Sequence, residues 1–128
     1  MDIAILAGGY GTRLKSVWDR AKCLVPYQGR PLIEYLVNKA LELRPRKIFL
    51  LLGHNAWEVV QWWEYCGRHK DVVPIIEARP EGTASAIRNA FCFLQPALLV
   101  LNGDTIPKYS LVEFITKFNE MTGDTITA

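Results

Sequence analysis

Reactive side chains of the usual kinds are scarce in this sequence. Its two histidines, His54 and His69, stand apart with no H-x-x-x-H and no adjoining carboxylates, so a histidine metal site or a Ser/His/Asp relay has nothing to build on. Both read as surface or loop residues. Cys23, Cys66 and Cys92 are odd in number, widely spaced and without a C-x-x-C pair, which signals neither a disulfide framework nor a zinc site and leaves reduced structural thiols. No apolar run approaches membrane-spanning length, and the N-terminus lacks the basic segment and long apolar stretch of a secretory signal; the expectation is a cytoplasmic protein with no membrane partner. A dense basic tract is missing too. Lys and Arg number 15 against 13 Asp and Glu, a net charge of +2, so duplex nucleic acid is not an expected partner while small anions remain open. The two common nucleotide motifs are also absent: there is no G-x-x-x-x-G-K-[ST], and Gly8-Gly9-Tyr10-Gly11 lacks the G-x-G-x-x-G spacing. Neither a P-loop hydrolase nor a nicotinamide enzyme is supported.

What is present is a chain of 128 residues, half of them apolar and 22% charged, which is ordinary for one soluble globular domain over residues 1–128. Apolar runs and helical periodicities alternate, as in an α/β fold with a mainly parallel central sheet. Strands are predicted over Asp2 to Leu6, Lys47 to Leu52, Val72 to Ile76 and Leu98 to Leu101, with another beginning at Thr125 to Ala128. The segment from the glycine turn through Tyr27 reads as an irregular loop covering a site. A helix opens near Pro31 with Leu32, Tyr35, Leu36, Ala40 and Leu43 on its apolar face, and Pro45 ends it. From Ala56 to about Cys66 a helical stripe of Ala56, Val59, Val60 and Trp63 leaves Trp57 and Trp62 off it; core packing is the default for all three tryptophans, an oligomer contact the alternative for an off-stripe one. Further helices are expected at Thr83 to Leu94 and, from the capping-box spacing of Ser110 to Glu113, at Leu111 to about Met121, burying Leu111, Phe114, Ile115 and Phe118, with Gly123 beyond its end.

Three segments fall at the carboxyl ends of predicted strands, where open α/β sheets bind ligands. The first is Leu6-Ala7-Gly8-Gly9-Tyr10-Gly11-Thr12-Arg13-Leu14. Its glycines permit a sharp turn and close approach, successive amides form a nest for phosphate oxygens, and Arg13 adds a permanently charged fork. The second is Glu77 to Thr83. The third is Asn102-Gly103-Asp104, where Gly103 leaves room for close approach and the Asp104 carboxylate suits magnesium held together with substrate phosphates. Alone, Asn-Gly reads equally as a plain turn or as part of a metal site; beside a phosphate turn, metal binding is the favoured reading. Lys22, in the loop after the glycine turn, can reach a phosphate as a point charge.

LAGGYGTRL, the following Lys22 and Leu24-Val25-Pro26, Gly29 to Tyr35, Glu81-Gly82-Thr83-Ala84 and Leu101-Asn102-Gly103-Asp104 resemble, in order and spacing, the sugar-1-phosphate nucleotidyltransferases, or nucleotide-sugar pyrophosphorylases. The resemblance covers the whole chain and is closest in flavour to the mannose-1-phosphate or heptose-1-phosphate guanylyltransferases. It implies a three-layer, Rossmann-like nucleotidyltransferase fold, truncated at its C-terminal end. It also implies an NTP held by Leu6, Ala7, Gly8, Gly9, Gly11, Thr12 and Arg13, with Arg13 and Lys22 on its phosphates, Gly82 and Thr83 against the nucleoside, and Mg2+ on Asp104. The reaction would be in-line attack of a sugar 1-phosphate on the α-phosphorus, releasing pyrophosphate and needing no protein nucleophile. Glu77 stands where the family often reads the base edge. A carboxylate only accepts hydrogen bonds and guanine offers two adjacent N–H donors, so GTP is favoured.

Departures from the family pattern are Cys23 in place of a proline, Glu81 in place of a leucine, and length. The resemblance implies that the family's later part supplies a second metal-binding aspartate and most of the sugar pocket, roles to which no residue of this sequence is assigned. Two further readings stand beside the enzyme: a noncatalytic nucleotide-binding module, and a phosphocholine cytidylyltransferase-like enzyme, against which Glu81 to Ala84 speaks. An unpaired sheet edge makes a homo-oligomer a further expectation.

Overall fold

A computed structural model describes residues 1–7, 22–53, 55–67, 69–76, 98–103, 107 and 110–122. The predicted helix at Thr83 to Leu94 and the predicted strand at Thr125 to Ala128 lie outside the described residues, as do His54, Cys92 and Gly123.

The described strands of the main sheet are β1 (Asp2–Leu6), β4 (Ile48–Leu52), β5 (Val72–Ile76) and β6 (Leu98–Asn102), all parallel and in the spatial order β5-β4-β1-β6. Each agrees with its predicted run to within one residue. β4 is buried at all five positions, which is why Ile48 to Leu52 is apolar without alternation: a central parallel strand is covered on both faces. β5 carries Pro74 in its middle. Among the described residues β5 pairs only with β4; the Ile48 amide donates to the Asp71 carbonyl at 2.7 Å. The alternation of a parallel ladder then turns the Pro74 nitrogen away from β4, so no ladder bond is lost.

Between β1 and β4 the structure adds what the sequence did not suggest. A short 3-10 turn (Lys22–Leu24) leads into a two-residue antiparallel ribbon, β2 (Pro26–Tyr27) with β3 (Arg30–Pro31). Gln28 and Gly29 at its tip both have positive φ, 50° and 82°, the requirement of a tight mirror-image hairpin turn. Helix α1 (Leu32–Leu41) follows directly, its first amide satisfied by the Val25 carbonyl at 2.9 Å. It buries Leu32, Ile33, Leu36, Val37 and Ala40, while Tyr35 sits edge-on to Tyr27 at 5.2 Å rather than in the core. The helix stops before Pro45: three amides, those of residues 42 to 44, bond back three residues, and Arg44 takes the left-handed conformation.

Helix α2 (Ala56–Trp62) buries Ala56, Val59 and Trp62 and then widens into a π-helical turn, Trp63–Gly67. The predicted stripe is therefore one residue out at its end. Trp62 is the core tryptophan, Trp63 is half-buried and Trp57 is exposed at 68%, so core packing does not account for Trp57. Helix α3 (Leu111–Thr122) starts as expected, with the Glu113 amide donating to Ser110 Oγ at 3.5 Å. It buries Leu111 and Ile115, whereas Phe114 and Phe118, expected inside, are partly exposed.

The larger core cluster joins Ile3 and Ile5 of β1 and Ile48, Leu50 and Leu52 of β4 to the buried sides of α1, α2 and α3. On the opposite sheet face Ala4, Phe49 and Leu51 form a second cluster with Leu6, Val73 and Ile75 against it; among the described residues it is made of strand residues alone. Among the described residues, no helix is long and apolar enough to cross a membrane.

Candidate nucleotide site

The strand order fixes where a ligand has room. From β1 the chain steps outward to β4 and then β5, and next crosses to the other side of β1 to form β6. The order therefore reverses between β1 and β6, and in open α/β sheets the crevice outside the carboxyl ends of such a pair is the binding position. Leu6 and Asn102, the last residues of the two strands, are register partners. The ladder runs one residue further on both: the Ala7 amide donates to the Leu51 carbonyl at 2.9 Å, and the Gly103 amide to the Leu6 carbonyl at 2.8 Å. Ala7 and Gly103, the last described residues before the glycine-rich segment and Asp104, are thus neighbouring, firmly bonded positions.

Gly103 is glycine for reasons of space. It is buried, and a Cβ there would collide with the Leu6 carbonyl oxygen and lie 3.1 Å from its carbon and 3.2 Å from the Ala7 Cα. The close approach expected of Gly103 is therefore an approach to the end of β1.

Of the expected site residues, Leu6 ends β1, Ala7 is buried beyond it, and Lys22 opens the 3-10 turn. The turn is anchored by Cys23 and Leu24, both buried in the larger core cluster. Burial pushes the Cys23 thiol up to about 12, against a backbone hydrogen bond that lowers it, and the Glu58 carboxylate adds to the rise. Cys23 is thus a protonated packing residue and no nucleophile. The Lys22 side chain and Gly8, Gly9, Gly11, Thr12, Arg13, Glu77, Gly82, Thr83 and Asp104 lie outside the described residues. Among the described residues no group of three or more His, Cys, Asp or Glu could hold a metal ion. The contribution that sequence reasoning missed is the Leu51 carbonyl, which holds Ala7 in line; a backbone acceptor leaves no mark in a sequence.

Comparison with known proteins places this geometry. The bifunctional protein GlmU of Methanococcus maripaludis is 33% identical over 116 residues, 90% of this chain, and that of Burkholderia orbicola 37% identical over 106 residues. The chain spans only 27% and 22% of these two relatives. Among solved structures, HddC from Yersinia pseudotuberculosis, complexed with GMP-PN, superposes with a TM-score of 0.77 at 34% identity, covering 91% of this chain and 53% of that one. A putative glucose-1-phosphate thymidylyltransferase from Bacillus anthracis gives 0.80 at 23% identity, a likeness of fold over 95% of this chain. The profile of the nucleotidyl transferase family matches residues 3–128, nearly the whole sequence, and the chain belongs to that family.

Proposed function

We propose that this chain binds an NTP, GTP by preference, in the crevice beyond β1 and β6, and transfers its nucleotidyl group to a sugar 1-phosphate. The observation that carries the reading is the pairing of Leu6 with Asn102 at the point where strand order reverses, since the glycine-rich segment and Asp104 follow these two strands in the sequence. The likeness to HddC, a protein solved with GMP-PN, supports a guanine nucleotide, as does the acceptor-only carboxylate of Glu77.

In this reading the amides of Gly8 to Thr12 cradle phosphate oxygens, and Arg13 and Lys22 neutralise the charge that grows on the leaving pyrophosphate. Asp104 would hold Mg2+, whose fit rests on the hard oxygen donor and on the close approach of the preceding Gly103 to the end of β1; when bound, the ion would supply further neutralisation of the triphosphate. The chain's own task is to align the α-phosphorus with the attacking phosphate oxygen. Alignment and charge neutralisation suffice for such a displacement.

The test is pyrophosphate release from the purified chain with magnesium, each NTP and a panel of sugar 1-phosphates. Release with GTP and one sugar phosphate is expected. NTP binding without release for any pair would leave a nucleotide-binding module. Asp104→Asn should abolish magnesium-dependent turnover with the far-UV spectrum unchanged, and turnover at the unmodified rate in that variant would overturn the metal assignment.

A further inference from the structure

A second concavity lies at the opposite corner of the sheet. Its volume is about 500 Å³, and Trp63, His69, Lys70, Val72, Val73 and Pro74 line it. It sits against β5, two strands from β1, and involves the turn that precedes β5, so it belongs to the amino ends of the strands whereas the proposed nucleotide crevice belongs to their carboxyl ends.

The lining combines an apolar body with cationic and donor groups, the composition of a small-molecule site. Trp63 is half-buried where α2 gives way to the π-helical turn; its amide is shared between the Val59 and Val60 carbonyls, and such widened turns recur at functional positions. The His69 ring is fixed by the Asp71 amide, which donates to Nδ1 at 3.1 Å. A neutral ring accepting at Nδ1 carries its proton on Nε2, which leaves that N–H as a donor. The Lys70 side chain is exposed. The nearest carboxylate on this turn, Asp71, is engaged by Lys47, whose Nζ lies 3.4 Å from Asp71 Oδ1 and 3.3 Å from the Lys70 carbonyl. Lys47 thus stiffens the turn and offsets the charge that would repel an anion.

We propose that this cavity binds a small planar anion, its ring against Trp63 and Pro74 and its carboxylate or phosphate held by Lys70 and His69. The site is independent of the nucleotide crevice and does not rest on the reading of that crevice. Two ligand sources share this chemistry, an aromatic carboxylate and a nucleoside monophosphate, and 1-naphthoate and AMP represent them.

Titration of the isotopically labelled full chain with each probe, followed residue by residue in amide and indole NMR spectra, tests the assignment. Saturable shifts are expected at the Trp63 indole N–H and at the His69 to Val73 amides, with a Kd of about 1 mM or below. Lys70→Ala, an exposed substitution that spares the core, should weaken binding about fivefold, the scale of one exposed charge contact. Saturation at these positions by naphthoate alone identifies an aromatic carboxylate, and by AMP alone a nucleotide. Shifts at other positions only, no saturation by either probe, or unchanged affinity in Lys70→Ala would each overturn the proposal.

Discussion

Two glycines in the described residues show that the same residue type answers different demands. Gly29 has φ +82° with nothing within 4 Å of a would-be Cβ, so it is there for backbone conformation. Gly103 is there for proximity to Leu6. Gly103→Ala should therefore force the ends of β1 and β6 apart and cost about 2 kcal/mol, read as a lower urea midpoint, with loss of any nucleotide affinity. Cys23 makes a second prediction at this scale. With its thiol raised from 9.0 to about 12 in the fold, the unfolded chain releases this proton first as pH climbs, so the unfolded state binds fewer protons above pH 9 and stability falls from there upward. Below pH 9 the contribution is fully present. The decline in urea-derived stability between pH 9 and 11 should be shallower in Cys23→Ala, and Cys23 should resist alkylation at pH 8 until the chain is unfolded.

Elements were legible where one physical signal dominated. The unbroken apolar run of β4 read as a parallel strand buried on both faces, and Ser110 announced the start of α3. The β2-β3 ribbon stayed hidden because its turn is Gln28-Gly29, and glutamine lacks the short side chain that makes Asn-Gly a recognisable hairpin signal. The α2 stripe slipped because the sequence does not show where 3.6-residue periodicity yields to the wider π turn. A pairing across elements was equally silent. Arg46 grips the fully buried Asp2 carboxylate at 3.0 and 2.7 Å, tying the start of β1 to the residues before β4. Arg46→Ala leaves that carboxylate buried without its guanidinium and should cost about 3 kcal/mol in chemical denaturation. Asp2→Asn exposes only a half-solvated guanidinium and should cost about 1 kcal/mol.

Across the whole molecule, the sequence revealed the α/β class and the family but could not reveal strand order, because apolar runs carry no mark of which neighbour they pair with. The order β5-β4-β1-β6 makes β4 and β1 the interior strands of the described sheet. Their amides should exchange with deuterium most slowly, and those of β5, held on one side by β4 and interrupted at Pro74, faster; equal protection across the four strands would contradict this arrangement. The sequence proposes the candidate site only as a list of residues. That two of its segments depart from adjacent strand ends emerged only from the Leu6–Asn102 register.

The same register has a consequence in time. Leu6 and Asn102 belong to the paired strands furthest apart in the chain, so the contact that shapes the crevice closes the longest loop of the described sheet. During synthesis Leu6 leaves the ribosome early and waits for its register partner until β4, β5 and β6 have been made. The core of β1, β4 and β5 can assemble before then. The crevice beyond β1 and β6 is consequently a late product of folding, and a nucleotide bound there as proposed would act as a clasp on the last joint of the described sheet.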